Sequence, residues 1–328
     1  MEIAFGPVPS RRLGRSLGIN NIPPKVCTYA CVYCQVGATT DRSLEPRAFY
    51  PATEVVERVA ERVAAITAAG EAIDYLTFVP DGEPTLDTNL GEAIARLRPL
   101  GIPIAVISNA SLVWRPEVSA ALETADWVSL KVDTVDEAAW RRLNRPHPAL
   151  RLPEILDGIR RFAARFRGTL ASETMLVAGY NDDPARIEAT ADFLMEAQVA
   201  EAHLALPLRP TALPGVTAPG AAAVAEARSI FEERLPQVFY LFTPEEGAFA
   251  SSGDVGRDLV GICAVHPMRE EAVRDLLQRK GATWEVVENL LAGGLLVAKQ
   301  HEGHTFYTCR PRRRNPAGAP HRATESGD

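Results

Sequence analysis

From residue 26 to residue 35 the chain reads Val26-Cys27-Thr28-Tyr29-Ala30-Cys31-Val32-Tyr33-Cys34-Gln35, a C-x3-C-x2-C pattern that holds three of its five cysteines. Thiolate is a soft ligand, so three thiolates on one short loop favour an iron–sulfur cluster or zinc over ions that prefer oxygen. Structural zinc and a fully protein-ligated [4Fe–4S] cluster both need four protein ligands. The fourth position is therefore supplied from elsewhere or left open for chemistry.

The composition is that of a globular chain. With 328 residues, 46% of them apolar, the chain can form one large domain or two with a real core. We find no apolar run suited to a secretory signal, and no segment approaches the roughly 20 apolar residues of a membrane span. We therefore expect a cytoplasmic protein, where clustered cysteines favour metal or redox chemistry over disulfides. The net charge of −7 gives no overall basic footprint for nucleic acid.

Short β-rich runs alternate with amphipathic helical runs between residues 16 and 235, which is typical of βα units around a parallel sheet. The predicted strands are residues 16–20, 74–79, 103–107, 127–132, 169–177 and 202–206. The predicted helices are residues 54–69, 90–97, 116–124, 137–144, 153–166, 184–198 and 221–235. Six βα units predict an α/β fold, an incomplete (β/α)6 TIM-like barrel with its polar loops at the carboxyl ends of the strands.

The pattern changes after about residue 240. Two further amphipathic helices are predicted at residues 269–280 and 284–291, and two strands at 295–299 and 305–310. We expect three regions: a partial barrel over residues 1–240, a small winged-helix-like module over 253–310 and a disordered basic tail over 311–328.

Polar residues follow four of the predicted strands. The cysteine loop follows the first, Asp81-Gly82-Glu83-Pro84 the second, Ser108-Asn109 the third, and Lys131 and Asp133 end the fourth. Because the carboxyl ends of parallel strands meet at one edge of a barrel, we expect these groups on one rim.

Two of these motifs carry a resemblance to a known family. The cysteine loop, with the aromatic Tyr33 before its third cysteine, and Gly82-Glu83-Pro84 after the second strand resemble the radical SAM superfamily over residues 5–235. Three stretches resemble its wybutosine-synthase-like Fe–S oxidoreductase group more closely: Phe5-Gly6-Pro7-Val8-Pro9-Ser10-Arg11-Arg12-Leu13-Gly14, Phe78-Val79-Pro80-Asp81-Gly82-Glu83-Pro84-Thr85-Leu86 and Asn144-Arg145-Pro146-His147-Pro148.

The resemblance implies a cofactor for the open position. Cys27, Cys31 and Cys34 would hold three irons of a [4Fe–4S] cluster, and S-adenosyl-L-methionine would chelate the fourth. An electron, from a reductant such as flavodoxin or ferredoxin, would then cleave S-adenosylmethionine to a 5′-deoxyadenosyl radical that abstracts hydrogen from a substrate. The sequence does not identify that substrate.

The resemblance also implies which rim residues bind the cofactor. The turn Gly82-Glu83-Pro84 would bind the methionine ammonium through Glu83 or nearby carbonyl groups. Ser108-Asn109, Lys131 and Asp133 stand where relatives bind carboxylate and ribose, and Lys131 suits the carboxylate while Asp133 suits the ribose hydroxyls. Tyr33 would belong to the same site.

Several residues keep a second interpretation. Lys131 and Asp133 could form an ion pair with each other, and Glu173 in the fifth strand could face either the barrel interior or the outside. Arg11 and Arg12 could hold an anionic substrate or cap the barrel.

The remaining cysteines also keep two readings. A zinc site on the cysteine loop could be completed by Cys263, Cys309 or a histidine. Cys263 and Cys309 could also help bind a second cluster, but two cysteines are too few for it and Cys263 lies in an apolar run, which favours a buried structural thiol.

The function keeps alternatives of different classes. Besides an enzyme acting on a small molecule or peptide, the chain could modify tRNA bases, or be a non-enzymatic Fe–S or zinc sensor working through its C-terminal module. The helix over residues 283–289 carries two carboxylates and no Lys or Arg, which opposes phosphate contact. Nucleic acid is therefore a possible partner, through Arg310-Pro311-Arg312-Arg313-Arg314, but not the favoured one.

Overall fold

The computed structural model describes residues 2–243, 249, 251 and 253–309. Its strands are β1 Ala4–Ser10, β2 Gly14–Ile19, β3 Val26–Cys27, β4 Asp41–Arg42, β5 Tyr75–Phe78, β6 Ile104–Ser108, β7 Trp127–Lys131, β8 Thr169–Met175, β9 Glu201–Ala205, β10 Val238–Leu241, β11 Met268–Arg269, β12 Leu296–His301 and β13 His304–Cys309. Its α-helices are α1 Ala52–Ala68, α2 Leu90–Leu97, α3 Pro116–Leu122, α4 Glu137–Leu143, α5 Leu152–Arg165, α6 Pro184–Glu196, α7 Ala221–Arg234, α8 Val255–Val265, α9 Glu270–Arg279 and α10 Glu285–Ala292.

The main sheet has the strand order β1-β2-β5-β6-β7-β8-β9-β10. β1 runs antiparallel to β2, and the strands from β2 to β10 are parallel to their neighbours. The six predicted strands are β2 and β5 to β9, so the predicted TIM-like partial barrel is confirmed. The predicted strand number is too low, because β1 and β10 extend the sheet at its two edges.

Each face of the curled sheet has its own apolar cluster. On the convex face, Ile104 and Val106 of β6 pack with residues of α1 to α7 in the largest core. Side chains alternate along a strand, so Ala105 points to the concave face, where it packs with Trp127, Ala171 and Leu13. Leu13 lies in the turn between β1 and β2, and this turn therefore contributes to the barrel interior.

The residues after 253 form a second, smaller core. Helices α8, α9 and α10 pack around a three-stranded antiparallel sheet in the order β11-β13-β12, with Leu259, Ile262, Leu276 and Val287 fully buried. Helix α8 is not among the predicted elements. The winged-helix-like assignment stays a prediction, and the predicted tail over residues 311–328 lies outside the described residues.

The C-terminal module is joined to the barrel by a buried ion pair. Arg62 of α1 and Asp258 of α8 lie 2.7 Å apart, with side-chain exposures of 9% and 0%. Arg62 Nε also donates to the carbonyl oxygen of Gly6 at 2.9 Å.

Within the described residues, no helix combines the length and the apolar character that a membrane crossing requires.

Candidate active site

The three clustered cysteines lie on the loop that begins at β3. Cys27 ends β3, which pairs with β4, and Cys31 and Cys34 follow; all three are free and half-buried. Burial raises the pKa of Cys31 to about 12, and the neighbouring charges of Asp133 and Cys34 add to that rise. The pKa values of Cys27 and Cys34 are also raised by burial. The positive charge of a bound metal centre favours thiolate, so these buried thiols would be neutral without such a centre and ionised with it.

The loop is fastened to the segment that follows α4. Val32 N donates to the Leu143 carbonyl at 2.9 Å, Ala30 N to that of Asn144 at 3.1 Å, and His147 N to that of Thr28 at 2.9 Å. The helix ends here because Pro146 and Pro148 cannot continue it, and Arg145 takes a positive φ of 45°. Residues 143–147 are thus bonded through their backbone to the cysteine loop.

Two asparagine side chains reach the cysteine sulfurs. Asn109 Nδ2 lies 3.4 Å from Cys27 Sγ and donates to Thr28 Oγ1 at 2.8 Å. Asn144 Nδ2 lies 3.5 Å from Cys31 Sγ. Two of the three sulfurs therefore have a neutral side-chain donor beside them.

The Gly82-Glu83-Pro84 turn lies directly against β3. Glu83 N donates to the Val26 carbonyl at 3.0 Å. A Cβ atom on Gly82 would stand 2.1 Å from that same carbonyl oxygen, so only glycine fits here. Asp81, at the start of the turn, forms a largely buried ion pair with Lys25 at 2.8 Å. The turn and the cysteine loop therefore lie close together in the structure, as we expected from the sequence.

Glu83 joins the ends of two strands. Its Oε1 accepts from Thr85 N at 3.1 Å, Thr85 Oγ1 at 2.6 Å and Ser108 Oγ at 2.8 Å, and its Oε2 accepts from Asn109 N at 2.7 Å. Burial nevertheless raises the pKa of Glu83. Three of these bonds fall on Oε1 and one on Oε2, so Glu83 fixes the position of the turn and of Ser108-Asn109, and Oε2 can accept one further hydrogen bond.

Lys131 does not pair with Asp133, so the alternative of an ion pair between them is wrong. Lys131 Nζ lies 2.5 Å from Glu173 Oε1, and Arg12 donates to the other oxygen of Glu173. Lys131 and Glu173 are direct neighbours in the register of β7 and β8. Glu173 shares its face of β8 with the concave-face residue Ala171, and so lines the barrel interior.

Asp133 is buried in a network of its own. It accepts from Tyr33 Oη, from Asn144 Nδ2 at 2.6 Å and from Met175 N at 2.9 Å. The Tyr33 ring lies 5.0 Å from Lys131 Nζ, measured to the ring centre. Tyr33 thus connects the cysteine loop to the residues that end β7.

Sequence reasoning gave no role to Lys25 and Asn144, although both contact the site. Lys25 immediately precedes the cysteine stretch, and Asn144 opens the third stretch quoted for the family resemblance. Their positions in the sequence were the only signal that could have pointed to either residue.

Cys263 and Cys309 lie in the core of the C-terminal module, where Cys309 Sγ is 3.1 Å from the Val260 carbonyl. Within the described residues, no three Cys, His, Asp or Glu side chains are arranged to hold one metal ion.

Comparison with known sequences points to one family. The family model described as Radical SAM superfamily matches residues 21–194. A UPF0026 protein of Methanocaldococcus jannaschii is 42% identical over 309 residues, which cover 94% of this chain and 96% of the relative. A UPF0026 protein of Helicobacter pylori (strain 26695) is 35% identical over 64% of this chain and 67% of its own length.

Solved structures share the fold at low sequence identity. TYW1 with a lysine–pyruvate adduct bound superposes with a TM-score of 0.52 at 18% identity, over 67% of this chain and 74% of that one. Streptococcus suis SuiB bound to its precursor peptide SuiA gives a TM-score of 0.51 at 15% identity, over 69% of this chain and 48% of SuiB. These likenesses concern the arrangement of the barrel.

Proposed function

This chain belongs to the radical SAM superfamily and is an enzyme of that class, and from this premise we propose that Cys27, Cys31 and Cys34 bind one [4Fe–4S] cluster beside a site for S-adenosylmethionine. Members of the superfamily generally bind these two cofactors. When bound, they supply an electron transfer that cleaves S-adenosylmethionine and yields the 5′-deoxyadenosyl radical, which takes hydrogen from the substrate. A reductant such as flavodoxin or ferredoxin would deliver the electron.

The observation that carries the proposal is the contact between the cysteine loop and the Gly82-Glu83-Pro84 turn. Glu83 N donates to the Val26 carbonyl, and the Gly82 position admits no side chain. The turn therefore lies directly against the strand that ends at Cys27. The three thiols need not converge on one point, because the cysteines of a cluster bind different irons.

The bonds of Glu83 sharpen the role of the turn. Oε1 of Glu83 already accepts three hydrogen bonds, whereas Oε2 accepts only the one from Asn109 N. We therefore assign the methionine ammonium to Glu83 Oε2 and to main-chain carbonyl groups of the turn. Ser108 and Asn109 then act through Glu83 and through the Asn109 contact to Cys27.

At the end of β7, Lys131 would release Glu173 and bind the methionine carboxylate in its place. Asp133 would bind a ribose hydroxyl in place of its bond from Tyr33, and Tyr33 would border the same ligand. Ser129 lies on the same face of β7 as Lys131, and its buried hydroxyl has no hydrogen-bond partner among the described residues. That hydroxyl supports a ligand on the concave face.

The test is anaerobic reconstitution of the protein with iron and sulfide, followed by reduction in the presence of S-adenosylmethionine. We expect about four irons per chain and release of 5′-deoxyadenosine with methionine. Replacing Cys27, Cys31 and Cys34 together by alanine should abolish both. Cys309→Ala serves as the matched control and should leave both unchanged. Cleavage that survives the triple substitution would refute the proposal.

The substrate is a separate question. A comparison of small metabolites and of modified tRNA nucleosides between a deletion strain and its parent tests the small-molecule and tRNA alternatives together. An unchanged nucleoside profile with a changed metabolite would exclude the tRNA alternative. Equilibrium binding to nucleic acid with no cleavage of S-adenosylmethionine would instead favour the sensor.

A further inference from the structure

Three ionisable side chains form a row across the concave face of the main sheet. Lys131 of β7 is the register partner of Glu173 of β8, and Glu173 is the register partner of His203 of β9. Residues in register point to the same face, and Glu173 shares its face of β8 with Ala171 of the interior cluster. An ammonium, a carboxylate and an imidazole therefore stand side by side inside the barrel.

Glu173 holds two cationic side chains, one on each carboxylate oxygen. Lys131 Nζ lies 2.5 Å from Oε1, and Arg12 donates to Oε2. The pair with Lys131 is largely withdrawn from water, since the side-chain exposures of Lys131 and Glu173 are 18% and 12%. Within the part of the chain that the structure describes, Oε1 accepts a hydrogen bond from Lys131 alone.

The proposed role of Lys131 requires this pair to open. Lys131 cannot give its full charge to a methionine carboxylate while it neutralises Glu173. Once Lys131 turns to that carboxylate, Arg12 stays on Oε2 and Oε1 loses its hydrogen bond. A charged oxygen that is withdrawn from water and has no donor raises the free energy of the protein, so the open pair favours a new donor at Oε1.

The chemistry of Glu173 decides what that donor is. A carboxylate only accepts, so the new partner of Oε1 has to be a hydrogen-bond donor. A partner that also carries positive charge replaces what Lys131 supplied, and charge-assisted hydrogen bonds are the strong ones. A phosphate or carboxylate group would be repelled by Glu173. The group that fits best is a protonated amine.

His203 extends the same row with a second acceptor. Burial together with the charge of Arg12 lowers the pKa of His203 to about 4, so its ring is neutral near pH 7. Nδ1 lies 3.3 Å from the carbonyl oxygen of Ser172 and donates to it, which leaves Nε2 as an acceptor. Phe239, the register partner of His203, stacks on the imidazole and is 42% exposed. The row thus offers an apolar surface beside its two acceptors.

We propose that Glu173 binds a protonated amine of the enzyme's substrate after Lys131 has released it in order to bind S-adenosylmethionine. This assignment rests on the proposed function. Because opening the Lys131–Glu173 pair serves both ligands, cofactor and amine should bind with positive cooperativity, each raising the affinity for the other by the same factor.

The test measures the affinity of the reconstituted full-length protein for S-adenosylmethionine by equilibrium dialysis without reductant. We expect saturating n-butylammonium chloride to tighten this affinity about tenfold, which is an ordinary size for coupling between two sites. Tetramethylammonium chloride carries the charge without an N–H donor, and sodium butyrate carries the opposite charge. At equal ionic strength both should leave the affinity unchanged.

Glu173→Gln separates this role from a structural one. Gln no longer competes for Lys131 as a counter-ion, so S-adenosylmethionine should bind about fivefold more tightly without amine and should no longer respond to n-butylammonium. A purely structural role predicts weaker binding instead. Glu92→Gln removes the exposed pair with Arg96, 2.7 Å apart on α2, and is the matched control that should behave as the unmodified protein does.

Three results would overturn the proposal. The first is an equal effect of n-butylammonium and tetramethylammonium, or no effect of either, on the unmodified protein, a comparison that needs no variant. The second is an amine effect that persists in Glu173→Gln. The third is weaker cofactor binding in Glu173→Gln when its iron content and circular dichroism spectrum are unchanged.

Measuring 5′-deoxyadenosine after reduction of the same preparation separates the two proposals. Cleavage without an amine effect contradicts the amine site alone. Absence of both cofactor binding and cleavage contradicts the proposed function, and the amine site with it.

Discussion

Asn109 and Asn144 place an amide nitrogen 3.4 Å from Cys27 Sγ and 3.5 Å from Cys31 Sγ. A hydrogen bond to a cluster sulfur stabilises negative charge there, and the reduced cluster carries more of it. Replacing Asn144 by leucine, which has a similar shape and no donor, should therefore make the reduction potential of the reconstituted cluster more negative. A redox titration followed by electron paramagnetic resonance measures this shift.

Asn89→Leu is the matched control, because Asn89 Nδ2 donates to the Tyr50 carbonyl at 2.8 Å, away from the sulfurs. Potentials that stay equal in Asn109→Leu, Asn144→Leu and the control would contradict the expectation.

At Gly82 the geometry admits no side chain. An alanine Cβ would meet the Val26 carbonyl oxygen at 2.1 Å and Ile22 Cδ1 at 2.7 Å. We expect Gly82→Ala to push β3 and Cys27 away from the turn, to cost about 1–3 kcal/mol of stability and to lower the iron content after reconstitution. Gly220→Ala is the control, since an added Cβ meets nothing within 4 Å there. Equal iron content in both variants would show that the turn does not constrain the cysteine loop.

His203 gives a pH-dependent contribution to stability. It is buried beside the Phe239 ring, with ring centres 5.1 Å apart, and burial together with the charge of Arg12 lowers its pKa to about 4. The unfolded chain binds a proton near the ordinary histidine pKa of about 6.5 and the folded chain does not. The contribution is thus complete above that value and is lost as the pH falls toward about 4.

Between pH 7.5 and pH 5.5 this loss should be on the order of 1 kcal/mol. Urea unfolding at the two pH values should show it in the unmodified protein and lack it in His203→Gln. If both proteins lose the same free energy, His203 is not the responsible group.

At the residue scale, part of the candidate site could be predicted from the sequence. Cysteine spacing and the Gly-Glu-Pro turn predict the two motifs that meet, because both are local in the chain. Asn144 reaches Cys31 across 113 residues of sequence, and Glu173 pairs with Lys131 across 42. Such pairings depend on strand register and on loop paths, which local patterns do not contain.

At the scale of elements, the six inner strands of the main sheet were predicted and both edge strands were missed. β1 carries two prolines in seven residues, which reads as a loop, yet an edge strand tolerates proline because one of its sides makes no ladder bonds. β10 has only four residues. Helix α8 was missed because it contains two glycines and its apolar residues do not follow a helical period. The barrel and the module both pack against this helix, so apolar residues occupy several of its faces.

Helix α8 also carries the ion pair that fixes the module. Asp258→Asn leaves the Arg62 charge buried without its counter-ion, and breaking such a pair costs about 3–5 kcal/mol. We expect a lower free energy of unfolding in urea and faster proteolytic cleavage between barrel and module. Glu196→Gln removes the exposed pair with Arg160, 3.0 Å apart, and should cost under about 1 kcal/mol. Equal effects of the two substitutions would mean that the module is held by its apolar contacts alone.

For the whole molecule, the cysteine loop contributes only a minor part of the folding core. The largest core consists mainly of strand and helix residues, to which the loop adds Val26 and Tyr29, while Val32 and Tyr33 belong to a smaller cluster. The loop rests on backbone bonds from residues 143–147 and from the Gly82-Glu83-Pro84 turn. We therefore expect the barrel to fold without the cofactor, and the proposed cofactor to order only the rim.

Removing the cluster with a chelator under reducing conditions should accordingly affect the rim alone. The thiols would become neutral, because burial raises the pKa values of Cys27, Cys31 and Cys34. The loop would lose its shared ligand while the sheet keeps its helices. We expect an unchanged far-ultraviolet circular dichroism spectrum and faster amide hydrogen exchange confined to residues 22–44 and 143–150. The triple cysteine-to-alanine protein should show the same exchange pattern before chelation and no change after it. Loss of secondary structure across the barrel on chelation would instead mean that the cluster is part of the folding core, as in proteins that fold only with their metal.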